Sequence, residues 1–112
     1  MIDAHGIGEI IAVYLKLGWI LRRVLLSQAL RENVGDKLSH LIDGVEVKDS
    51  SVDAAWFSRP QQPGGVPWEI RHLSETPYAL LENIDDLSPE FEETLHAVET
   101  RLRQTLLKTK SA

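Results

Sequence analysis

Residues 52–84 read VDAAWFSRPQQPGGVPWEIRHLSETPYALLENI, and the way this stretch folds decides the architecture of the chain. Three runs, VDAAWFSR (52–59), PWEIRHL (67–73) and YALLENI (78–84), are separated by a Pro/Gly-rich segment and by SETP (74–77). Aromatic and apolar residues suit a pleated, half-buried surface, while proline and glycine break it. The stretch therefore predicts a three-stranded antiparallel meander. Period-two alternation groups Trp56 with Val52 and Ala54, Trp68 with Ile70 and His72, and Leu80 with Tyr78 and Glu82. The opposite side mixes Phe57 and Leu81 with Arg59, Glu69 and Arg71. One apolar and one mixed face is the pattern of a sheet covered by helices on one side.

Downstream, Ser88 and Pro89 form a helix start signal, and Phe91, Leu95, Val98, Leu102 and Leu106 follow at helical spacing. Acidic residues precede this helix and occupy its start, and basic residues occupy its end, complementing the helix dipole. A frayed tail is expected over 109–112.

Upstream, Ile7, Ile10, Ile11, Tyr14 and Leu15 mark one face of a helix from about Gly6 to Leu17, with Asp3 as N-cap and Gly18 as its stop. Trp19–Leu26 (WILRRVLL) reads either as a strand or as a continuation of that helix; the strand is favoured because Gly18 interrupts the helical pattern. As a strand it would place Leu21, Arg23 and Leu25 on one face and Arg22, Val24 and Leu26 on the other. Ser27 can cap a short helix stopped by Gly35, and Asp36 a second one stopped by Gly44. Val45–Lys48 alternates like a short strand.

The expected fold is therefore α+β: one domain over 1–112, with an antiparallel meander of four to five strands and the N- and C-terminal helices packed on its apolar face. A chain of 112 residues can bury a core without staples. It has no cysteine, which excludes disulfides and thiolate chemistry. Its net charge of −5 is spread over both halves, with no basic stripe of the kind that binds nucleic acid. The N-terminus has no basic segment followed by an apolar run, and Ile10–Leu21 is too short and too charged to span a bilayer. A soluble, cytoplasmic protein is expected.

Motifs for phosphate loops, nucleophile elbows and paired metal-binding histidines are absent from the sequence. No cofactor and no metal are expected. Two residue groups retain chemical interest. His72 shares a strand face with Trp68, and Glu82 stands on the next strand; a histidine beside a carboxylate can act as a base, or be a satisfied polar pair. Arg59, Glu69 and Arg71 share the other face, where they can grip an anion or form a cross-strand ion-pair ladder. The long connection from Arg59 to Pro67 is a binding element or a plain connector.

The functional expectation is a non-catalytic protein–protein interaction module, homodimeric, of adaptor, immunity or secretion-chaperone type. The alternative is a small-ligand-binding protein or minor enzyme at the sheet margin around His72, with Arg59, Glu69, Arg71 and Glu82 as neighbours.

Overall fold

The structure, a computed structural model, describes residues 2–60, 63 and 65–111, the last three by their backbone alone. The chain runs α1 (Ala4–Lys16), β1 (Ile20–Leu26), α2 (Gln28–Val34), β2 (Glu46–Asp49), β3 (Ala54–Ser58), β4 (Pro67–His72), β5 (Ala79–Asn83) and α3 (Phe91–Ser111). The fold is α+β, with three helices and an open five-stranded sheet ordered β2-β1-β3-β4-β5.

Local signals start and stop the early elements where the sequence places them. Asp3 accepts a hydrogen bond from the Gly6 amide at 2.8 Å, and α1 ends ahead of Gly18, whose φ of 92° suits a residue without Cβ. The chain then enters β1, settling the ambiguity of 19–26 in favour of the strand. Ser27 accepts from the Leu30 amide at 3.2 Å to open α2, and Gly35 closes it. The second short helix expected from Asp36 does not form. Residues 36–45 are a run of turns that places Leu38 in the core and Leu41 and Ile42 against it. Three anchored side chains fix these turns without a helical nucleus, which is costly over so short a length.

The sheet is mixed rather than purely antiparallel. β2 runs parallel to β1, with Val24 opposite Val47, while the pairings β1–β3, β3–β4 and β4–β5 are antiparallel. A parallel neighbour needs a long crossover, and the segment from Ser27 to Val45, containing α2, supplies it. The meander of 54–83 is as expected, with Trp56 opposite Ile70 and Ile70 opposite Leu80.

The helices do not share one face. Ile7 and Ile11 of α1 and Leu30 and Val34 of α2 pack with Val24, Leu26, Ala55 and Phe57 on one side. Leu95, Val98 and Leu102 of α3 pack with Leu25, Trp56, Trp68 and Ile70 on the other. β3 is thus buried on both sides along its whole length. The small Ala54 and Ala55 and the aromatic Trp56 and Phe57 fill two separate cores from adjacent positions.

A register shift between Leu21 and Arg23 breaks the expected alternation of β1. A bulge inserts one residue and turns two consecutive side chains to the same side. Arg22 consequently lies over the Trp68 ring, 5.0 Å from its centroid, while Arg23 reaches Glu92 of α3. Leu21 and Val24 both join the α1 side. α3 begins at Phe91, after a Pro89–Glu90 turn in which Ser88 Oγ accepts from the Glu90 amide at 3.1 Å. It continues to Ser111, through the stretch expected to fray; Ala112 lies outside the described residues. Among those residues no helix is long and apolar enough to cross a membrane.

Candidate functional site

The residues singled out in the sequence separate into three places. Arg59 stands just beyond β3, and its guanidinium donates to the Leu17 carbonyl at 2.8 Å while lying over Trp19, 4.6 Å from the ring centroid. It closes the α1–β1 corner and takes no part with Glu69 or Arg71. The connection that follows it includes residues 61, 62 and 64, which lie outside the described residues, so the expectation of a binding loop there falls largely outside them.

Glu69 and Arg71 do share the α1 side of β4, as alternation requires. Glu69 faces Phe57 and Leu81 across the strands and accepts a hydrogen bond from the Tyr14 hydroxyl, an interaction the sequence did not reveal. Tyr14 is held for this role by its stack on Phe57, with centroids 4.1 Å apart. Burial and then the hydrogen bond to Glu69 push the Tyr14 phenol above its ordinary range. Arg71 donates to the His72 carbonyl and borders a cleft of about 460 Å³ together with Tyr14, Val13 and Glu75. Among the described residues no ion pair joins Arg59, Glu69 and Arg71, so neither the expected ladder nor a three-residue anion clamp is assembled.

His72 and Glu82 are not neighbours. Glu82 stands opposite Trp68, whereas the His72 amide donates to the Tyr78 carbonyl at 2.9 Å at the other end of the β4–β5 pair. The two positions are four residue steps apart along β4, about 13 Å at the usual rise. Glu82 instead pairs with Arg101 of α3. The acid–base couple imagined from strand faces is ruled out by register.

His72 lines a groove of about 410 Å³ on the α3 side with Val52, Asp53, Tyr78, Arg103 and Leu106. Asp53 is held by Ser27, accepting from its amide at 2.6 Å and its hydroxyl at 3.2 Å. Arg103, in the sequence one of the basic residues that complement the α3 dipole, also lines this groove. Its Nε is buried without a hydrogen-bond partner.

No protein-family model, no curated protein and no solved structure matches the chain. The site must therefore be judged on its own geometry. Among the described residues no cluster of three or more metal-binding side chains occurs. Ser58 is buried, and Arg22 donates to its hydroxyl at 3.5 Å.

The most conspicuous outer surface lies on the α1 side of β4 and β5. α1 and α2 cover β1 and β3 there, and Leu73 just after β4 joins their core, but no residue of β4 or β5 themselves does. Leu81 is 62 % exposed, and Val13, which lines the same cleft as Tyr14 and Arg71, is 55 % exposed. β5 is also an edge strand, and its sequence ALLEN contains one charge, Glu82, already engaged with Arg101. The other edge, β2, reads EVKD and is largely charged.

Proposed function

We propose that the chain is a non-catalytic protein–protein interaction module that self-associates into a homodimer, of the adaptor, immunity or secretion-chaperone type, through the β5 edge. The observation that carries this reading is the exposure of Leu81 on an edge strand whose one charge is already paired. Charged residues protect edges against pairing, and β2 has them where β5 does not. Two copies of β5 aligned antiparallel about Leu81 would satisfy each other's free backbone groups and set Leu81 against its twin. Val13 and the Tyr14–Glu69–Arg71 cluster would widen the contact beyond the strands, which a stable interface requires.

Gel filtration with light scattering tests this directly. The expected mass is that of a dimer, and Leu81→Lys should give a monomer with an unchanged circular dichroism spectrum. A wild-type chain that stays monomeric at high concentration would rule the reading out.

A second reading, a small-ligand site at the sheet margin, is supported by the groove that contains His72.

A further inference from the structure

Every other arginine of the chain has an identifiable partner. Arg23 is clasped by Glu46 and Glu92, Arg31 pairs with Asp49 at 2.8 Å, and Arg101 pairs with Glu82. Arg22 and Arg59 lie over Trp68 and Trp19, and Arg71 donates to the His72 carbonyl. Arg103 alone has none among the described residues: no carboxylate lies within ion-pair distance, and its Nε is buried unpaired. The two acids that might have served are engaged elsewhere. Asp53 is held by Ser27, and Glu99, one helical turn before Arg103, accepts from Trp56 Nε1 at 2.8 Å.

A buried guanidinium donor without an acceptor is costly, and the residue that carries it, Arg103, also lines a cavity. The cavity is the groove of about 410 Å³, within the size range of small-molecule sites. Its walls combine Val52 and Leu106 with the phenol of Tyr78 and the imidazole of His72. It therefore offers an apolar trough with a cation and further polar donors at its border. A carboxylate matches the forked guanidinium geometry, and an aliphatic or aryl body matches the trough.

We propose that the groove between the β4–β5 end of the sheet and α3 binds a small organic carboxylate with an apolar body, its carboxylate held by Arg103. The proposal rests on the second reading above and specifies the ligand class of that site. Arg103 supplies the charge, Tyr78 and His72 border the head-group, and Val52 and Leu106 shield the tail from water. It is independent of self-association, because β5 presents its free edge and Leu81 on other surfaces.

Three probes of equal chain length separate the possibilities: octanoate, 1-octanol and octylammonium, each titrated into the full chain by calorimetry and followed by amide shifts in 15N-labelled protein. Octanoate should bind at least tenfold more tightly than octanol, octylammonium least, with shifts at Val52, Tyr78 and Leu106. Arg103→Gln should lower octanoate affinity at least tenfold and leave octanol unchanged, and Arg103→Lys should fall between. Equal binding of octanoate and octanol at the groove amides would overturn the carboxylate assignment while the ligand-site reading stands. Failure of all three probes to shift those amides would overturn both. The octanoate-to-octanol ratio in the wild-type chain decides the assignment even if Arg103→Gln does not fold.

Discussion

On the α3 side of the sheet, residues from β1 to β5 lie beneath one long helix, and Trp56, Trp68 and Ile70 are almost wholly removed from water. Even the charged group there is enclosed: Arg23 is 8 % exposed and is gripped by Glu46 and Glu92. On the opposite side α1 and α2 are shorter and cover β1 and β3, leaving Glu69, Arg71 and Leu81 at or near the surface. The difference follows from where the helices lie: α3 packs on residues of β1, β3, β4 and β5, whereas the core beneath α1 and α2 draws on β1 and β3. Stability is thus concentrated on one side, and open surface on the other.

The strongest way to break this contrast is to open the α3 side. Trp56→Ala removes a fully buried indole and the acceptor role of Glu99, and should destabilise the chain by about 3–5 kcal/mol in urea titration. A loss near that expected for a surface residue would mean that α3 does not carry the core.

Tyr14→Phe examines the other side, where α1 meets β4. Losing the donor to the half-buried Glu69 carboxylate should cost about 1–3 kcal/mol. The stacked ring remains, so far-ultraviolet circular dichroism should be unchanged.

Glu92→Gln is expected to have a smaller effect, about 1 kcal/mol or less, because Glu92 is largely exposed although its partner is not. The hydrogen bond from Arg23 holds the Glu92 carboxyl below its ordinary value of 4.5. A depressed folded value makes the contribution complete above 4.5 and lost as the pH falls through the lower folded value. The stability gap between wild type and Glu92→Gln should therefore be present at neutral pH and close in acid. A gap that persists in strong acid would deny the ionic character of the contact.

Leu81→Lys should change stability least, within about 0.5 kcal/mol for the isolated chain, since Leu81 is largely exposed. A large loss would show that the β5 face is covered after all and remove the basis for self-association there.

Much of the fold was legible because its signals are local. Asp3, Ser27 and Ser88 begin turns or helices where their short side chains meet nearby amides, and the spacing from Phe91 to Leu102 predicts α3. Trp56, Trp68, Ile70 and Leu80 do fall on one side of a meander, because side-chain direction in a strand depends only on neighbouring residues. The candidate site was less legible. Alternation puts Glu69 and Arg71 on one side, but in the sequence the Tyr14 hydroxyl sits within an apolar stripe and Arg103 is one more base at a helix end. Both assignments depend on which element lies opposite, information that neither residue's neighbours contain.

By itself, then, the sequence determined the elements and the sidedness of 52–84, through hydrogen bonds and periodicities that close within a few residues. The tertiary structure decided that β2 runs parallel to β1, that α3 and α1 lie on opposite sides, that a bulge turns Arg22 and Arg23 the same way, and that His72 is parted from Glu82 and set beside Arg103. Each of these depends on contacts between distant segments, whose small free energies are summed over a whole core and leave no local pattern to read.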